Sequence, residues 1–267
     1  MVGKTQICNT QRMNNWSKNE KAFRVICGDG PVVPCLITCE HASNELPEGW
    51  SWKGGDERLQ NMHWAYDLGA TEITEELVAA CSAVGVLSNF SRLLIDANRD
   101  LTQENLFRTV ADGLPVQLNQ NLTRKEEERR IRGFWEPFHT EIDRISQGLK
   151  PRFLLSVHSY TPLYEGEPRD VQIGVLHDNR NPELASQWCK RLGELSGMDV
   201  RINEPYTGMD GYMYSASIHA ERADCPTIEM EFRQDLLVDP ETRGKLTQWM
   251  TIVVKETLDS LSGIISP

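Results

Sequence analysis

The sequence predicts a three-layer α/β/α domain built on a mixed, largely parallel sheet. Three observations lead there. Short apolar, β-branched runs alternate with longer segments of helical spacing along most of the chain. Polar, chemically capable residues follow several apolar runs directly, as they do at the carboxyl ends of strands in open α/β sheets. The length, 267 residues, suits one large α/β domain.

Taken in order, residues 1–20 are polar and read as a loose N-terminal arm, with a single domain over 21–267. The arm has no apolar segment of the kind a signal peptide carries. Pro31 to Cys39 is apolar and β-rich and predicts the first core strand, running into the loop Glu40 to Pro47. Asn61 to Ala83 predicts a helix, because Ala65, Leu68, Ile73, Leu77 and Ala80 fall on one face. Val84 to Ile95 reads as one or two strands, and 101–121 as polar surface chain. Thr123, with Glu126 three residues on, forms a capping box for a helix reaching about Gly148. Strands are predicted over Phe153–Val157, Val171–Leu176, Val200–Ile202 and Thr227–Phe232. Pro182 suits the first turn of a helix to Leu195, and Pro240 to Leu261 predicts a long amphipathic helix. Thr207 to Ala223 is rich in Gly and Tyr and reads as a loop with a short helix.

Composition narrows the partners. Hydrophobic residues at 39% and charged residues at 25% allow a packed core. A net charge of −11 argues against a nucleic-acid backbone or an anionic membrane as the partner. No apolar run approaches the ~20 residues a membrane span needs. The seven cysteines are odd in number and scattered, which reads as free thiols packed as small hydrophobes in a reducing, cytoplasmic compartment.

The candidate chemistry sits at the strand ends. His41 and His158 each end an apolar run, and two imidazoles on neighbouring strand ends begin a zinc site. The third ligand is open between Asp67, flanked by apolar residues, and Glu45 or Asn44, close behind His41. Asn98-Arg99 ends a third run, and an arginine fork there suits a carboxylate. In Thr227-Ile228-Glu229-Met230-Glu231-Phe232-Arg233, strand alternation puts Glu229, Glu231 and Arg233 on one face. Glu231 is the candidate general base. Tyr160 and Arg233 are candidate substrate contacts. Tyr206, Tyr212, Tyr214 and His219, ahead of that strand, are further candidates that spacing does not separate.

The blocks Asp96-Ala97-Asn98-Arg99, Ser156-Val157-His158-Ser159-Tyr160 and Met230-Glu231-Phe232-Arg233 resemble three blocks of the zinc carboxypeptidases, in the same order. That resemblance implies that Asn98 and Arg99 hold a substrate carboxylate, His158 binds zinc and Glu231 is the general base. One departure stands out: carboxypeptidases have a Glu three residues after the first zinc His, and here that residue is Asn44. A closer resemblance, over about residues 34 to 240, is to the N-formylglutamate amidohydrolase family. It rests on Cys39-Glu40-His41-Ala42-Ser43-Asn44, Tyr66-Asp67-Leu68-Gly69-Ala70, Asp96 to Asp100, Asn203-Glu204-Pro205-Tyr206 and Ile228 to Leu236. It implies a phosphorylase/hydrolase-like, zinc carboxypeptidase-like fold with one Zn2+ per chain. The implied substrate is a small anionic N-formyl or N-acyl acidic amino acid. N-formyl-L-glutamate is foremost, giving formate and glutamate in histidine degradation. The alternatives are an amide hydrolase acting on a peptide or cell-wall fragment, or a non-catalytic binding protein on the same scaffold.

Overall fold

The computed structural model describes residues 21–52, 54–164 and 166–263. The arm expected over 1–20 lies outside the described residues. The central sheet has seven strands: β1 (Phe23–Cys27), β2 (Cys35–Cys39), β3 (Val84–Ser88), β6 (Phe153–Tyr160), β9 (Ile173–Leu176), β10 (Val200–Ile202) and β11 (Thr227–Arg233). Two short hairpins, β4–β5 (Val110–Ala111, Leu114–Pro115) and β7–β8 (Leu163–Tyr164, Glu167–Pro168), stand outside it. The spatial order is β1-β3-β2-β6-β11-β9-β10. Strands β3, β2, β6 and β11 run parallel to one another, while β1 and β9 are antiparallel to their neighbours β3 and β11. The predicted mixed, largely parallel sheet is the one observed.

This topology positions the chemistry. Four parallel strands deliver their carboxyl ends to one edge, and the reversed strand β9 begins at that same edge. Loops after β2, β3, β6 and β11 and the loop before β9 therefore meet there.

Side chains alternate across the sheet with period two. Leu155, Val157, Ile228, Met230 and Phe232 enter one apolar layer, packed under helices α1 (Ala70–Cys81), α4 (Pro182–Ser196) and α7 (Pro240–Gly263). Leu36, Leu154, Val84 and Val86 face the opposite layer with helices α3 (Glu136–Leu149) and α5 (Tyr214–Ala223). The polar alternates Ser156, His158, Glu229 and Glu231 belong to this second face. Burial of each large apolar side chain stabilises the fold by roughly 1.5–3 kcal/mol, which lets the sheet carry so many buried polar groups.

Local departures have physical reasons. The expected helix from Asn61 begins only at Ala70. Turns fill the preceding chain, where Gly69 takes φ +79° and packs its Cα against Leu237. The strand expected to stop at Val157 continues to Tyr160, so His158 lies within it, paired with Glu231 of β11 and two residues beyond Ser156, the last residue paired with β2. Thr123 caps α2 (Arg124–Arg130) by accepting from the Glu126 backbone, as the capping box predicts. The helix then makes a π-helical turn over Ile131–Trp135 before α3. A short helix α6 (Gln234–Val238) separates β11 from α7. Strand β1 carries no strong alternation and is not anticipated by the sequence pattern. Cys27 is disulfide-bonded, which scattered spacing does not foretell; Cys35, Cys39, Cys81, Cys189 and Cys225 are free. No helix among the described residues is long and apolar enough to cross a membrane.

Candidate active site

At the carboxyl edge of β2, β6 and β11 lies a cleft of about 320 Å³. Its floor is made by His41, Asp67 and His158, each nearly completely buried. His41 follows β2 and His158 lies in β6. Asp67 reaches them because its backbone N–H donates to the His41 carbonyl at 3.0 Å, tying the turn before α1 to the loop after β2. The Ser159 backbone N–H also donates to Asp67 Oδ2, at 3.2 Å.

The ring orientations are informative. His158 Nδ1 is 2.9 Å and His41 Nδ1 is 3.4 Å from the same oxygen, Asp67 Oδ2. One ligand atom from each of the three residues falls within 4.8 Å of the others. The opposite ring nitrogens are held by other carboxylates. His41 Nε2 is 2.6 Å from Asp96 Oδ1, and His158 Nε2 is 3.1 Å from Glu40 Oε2. Carboxylates on both Nε2 atoms favour protons there, so that Nδ1 is the atom each ring would offer to a cation lying beside Asp67. Two lone pairs and a carboxylate aimed at one point form a donor set for a cation. The carboxylate–histidine arrangement behind it is the usual support for a zinc ligand. The donor set fits zinc.

The supporting carboxylates are themselves held. Asp96 accepts from Arg92 at 2.7 Å and from the Asn98 backbone at 2.9 Å. Burial would raise its carboxyl, but Arg92, His41 and Arg99 outweigh that and keep it well below the usual range. Glu40 accepts from Ser156 Oγ at 2.8 Å. Burial opposes its charge too, yet His158 and nearby hydroxyls bring it down to about 2. Burial alone would pull the His158 imidazole down, but Glu229, Asp67 and Glu40 hold it well above its ordinary value.

Glu231 differs. It stands beside His158 in the β6–β11 register and lines the cleft. Its Oε2 is buried with no hydrogen-bond partner. Burial, with the charges of Asp67 and Glu229 added, pushes its carboxyl up to about 8 against the pull of His158 and Arg92. A carboxyl that is unpartnered, buried and titrating near neutrality has the properties of a proton-transfer group. Glu229, two residues earlier, points instead at the outer side of His158, 3.6 Å from Nε2, and accepts from Asn98 at 3.3 Å.

Gly174, opposite Glu231 in the β9–β11 register, explains how the next wall fits. A Cβ there would lie 2.2 Å from the Glu204 carbonyl oxygen. Only glycine lets the segment carrying Tyr206 approach the sheet this closely.

The remaining candidates separate. Arg99 lines the cleft with its guanidinium 5.1 Å above the Tyr212 ring, and Trp135 of the π-helical turn holds its carbonyl at 3.0 Å. Asn98 also lines it, but its amide is engaged: it donates to the Tyr212 carbonyl at 2.8 Å and accepts from the Ser215 backbone at 2.9 Å. It anchors the 212–215 segment. Tyr160 lines the cleft with its hydroxyl donated to the Val171 carbonyl. Arg233 does not line it. Its guanidinium pairs with Asp235 at 2.8 Å and donates to the carbonyls of Arg169 and Asp170 at 3.2 and 3.1 Å. Asn44 donates to the Gln60 carbonyl at 2.8 Å, and neither it nor Glu45 joins the ligand group. Tyr206 and Tyr212 line the cleft, whereas His219 is buried against His139 and Asp143, and Tyr214 packs on Trp135. The sequence pattern did not single out Glu40, Arg92, Arg108 or Arg169. Glu40 alone left a signal, as an acidic residue directly before a candidate ligand.

The sequence profile described as N-formylglutamate amidohydrolase matches residues 33–238. No curated protein matches the sequence significantly. Among solved structures, gene product Atu2144 from Agrobacterium tumefaciens superposes with a TM-score of 0.82 at 27% identity. That match covers 91% of this chain and 96% of that one. An N-formylglutamate amidohydrolase from Ralstonia eutropha JMP134 shares the fold with a TM-score of 0.73 at 18% identity, over 92% of this chain and 100% of that one.

Proposed function

This chain belongs to the N-formylglutamate amidohydrolase family, a family of hydrolases, and from that premise we propose that it is a zinc-dependent deformylase of N-acylated acidic amino acids. N-formyl-L-glutamate is the foremost substrate, with formate and glutamate as products of a step in histidine breakdown in the cytoplasm. The observation that carries the reading is the convergence of His41 Nδ1 and His158 Nδ1 on Asp67, with the unpartnered Glu231 carboxyl in the same cleft.

His41, Asp67 and His158 would hold the ion at the floor of the cleft. When bound, zinc supplies a Lewis acid that polarises the amide carbonyl and brings the pKa of water down toward ~7. Asp96 and Glu40 keep the two imidazoles in the tautomer that presents Nδ1. Glu231 takes the proton of the attacking water and returns it to the amide nitrogen as the C–N bond breaks, so the residue ends as it began. Arg99 receives the substrate carboxylate and fixes the amide over the floor of the cleft. Arg108, across the mouth over Trp64 at 5.2 Å, adds positive potential for the anionic substrate.

The test is zinc content together with formate release from N-formyl-L-glutamate, before and after chelation. One zinc per chain and chelator-sensitive release are expected. A metal-free protein that still releases formate would refute the mechanism, and a zinc protein that releases none would refute the substrate.

A further inference from the structure

The cleft holds more positive charge than one carboxylate needs. Among the described residues, Arg99, Arg108 and Arg169 line it without an ion-pair partner, each resting on aromatic rings instead. Arg92, by contrast, is spent on Asp96 and Asp67. In a chain with 39 acidic residues and a net charge of −11, three guanidiniums in one cleft that make no direct ion pair, though Asp67, Glu229 and Glu231 also line it, are free to receive an anion.

Their arrangement says more. Arg99 lies 5.1 Å over Tyr212, and Arg169 lies 5.0 Å over Tyr206. The two tyrosine rings stack on each other, with centroids 6.1 Å apart. The guanidiniums thus flank a two-ring stack and form two separate anion points rather than one fork. Arg169 is firmly placed. Its Nη1 donates to Tyr206 Oη at 2.7 Å, and its ring contacts extend to Tyr164 at 4.6 Å and Tyr160 at 5.6 Å. Its backbone N–H donates to the Pro162 carbonyl at 2.9 Å, and its own carbonyl accepts from Arg233. The β7–β8 hairpin and the reversed strand β9 bring it to the catalytic edge. Burial and the field of Arg92 pull the neighbouring Arg108 below its ordinary value, as an unneutralised positive mouth would.

We propose that Arg169 is a specificity-determining residue that receives a second carboxylate, on the side chain of the acyl amino acid, while Arg99 receives the first. This rests on the reading of the cleft as an N-acyl amino acid hydrolase site, and it assigns the acidic preference to one side chain.

The experiment compares zinc-loaded wild type and Arg169→Gln on N-formyl-L-glutamate and its neutral isostere N-formyl-L-glutamine. Wild type is expected to favour the glutamate substrate by about 10- to 100-fold in kcat/KM, the range of a hydrogen-bonded charge. Arg169→Gln is expected to bring that ratio near one by losing the glutamate substrate while leaving the glutamine substrate nearly unchanged. An unaltered ratio in the variant, or no preference in wild type, overturns the proposal and leaves the hydrolase reading intact. Binding of glutarate against butyrate reads the same point without turnover. If neither formyl substrate is cleaved, but wild type binds glutarate about 10-fold tighter than butyrate and Arg169→Gln does not, the named reaction falls and Arg169 keeps its role. Equal binding of both acids by wild type overturns the role.

Discussion

Asp96 Oδ1 lies 2.6 Å from His41 Nε2, on the side of the ring opposite Asp67. That contact fixes which nitrogen of His41 faces the ligand cluster. Asp96→Asn should weaken zinc affinity by about 10- to 100-fold while the fold survives, because the amide no longer orients the imidazole as a carboxylate does. Competition with a chelator measures it, and unchanged affinity would remove Asp96 from the metal site.

The third ligand can be assigned by subtraction. Asp67→Ala should abolish stoichiometric zinc, while Glu45→Ala and Asn44→Ala should keep it. Asn44→Ala should cost about 1 kcal/mol of stability through its lost hydrogen bond to the Gln60 carbonyl. Zinc analysis of the three purified variants decides; a metal-free Glu45→Ala protein would refute the assignment.

Glu231→Gln separates chemistry from binding. Zinc content and substrate KM should hold near wild type, while kcat falls by about 10²- to 10⁴-fold. Full turnover in this variant would mean that another group moves the proton.

A pH effect on stability should arise away from the cleft. His139 is buried against His219, and burial, then the positive field of His219, bring its imidazole down to about 3 from an ordinary 6.5. Between those values the unfolded chain binds a proton that the folded chain refuses. The stabilisation is therefore complete above pH 6.5 and is lost as pH falls toward 3, by up to about 1.4 kcal/mol per pH unit. Urea titrations from pH 7 to 4 should show a shallower loss in His139→Gln than in wild type. Parallel curves would show that His139 does not contribute.

Much of this was legible from residue patterns. Period-two alternation in Thr227–Arg233 correctly separates Glu229 and Glu231 from Met230 and Phe232, since sheet faces are written directly in the sequence. The position of His41 just past β2 is legible too, whereas the strand read over Val84 to Ile95 stops at Ser88, and Asn98-Arg99 reaches the cleft from a stretch of turns after it. Asp67 was one of three options, because only the fold shows that its turn hydrogen-bonds to the His41 carbonyl. Arg233, a candidate substrate contact by alternation, lies outside the cleft. Its alternation is right, but at the last position of the strand the side chain turns to Asp235 and to two backbone carbonyls. Arg169 left no trace. It sits in a loop without periodicity, and the aromatic rings around it come from Tyr160, Tyr164 and Tyr206, in different segments.

The reversal of β9 has a consequence for how such a domain diversifies. Of the groups proposed for zinc binding and proton transfer, His41, His158 and Glu231 are carried by, or follow closely, parallel strands that cannot shift without breaking the sheet, and Asp67 is tied to the loop after one of them. The cation that greets the substrate's far end hangs on a hairpin outside the sheet. Insertions, deletions or replacements in that hairpin can retune which acyl amino acid is accepted while the hydrolytic machinery stays as it is. Appetite and chemistry are thereby inherited as separable parts of one chain.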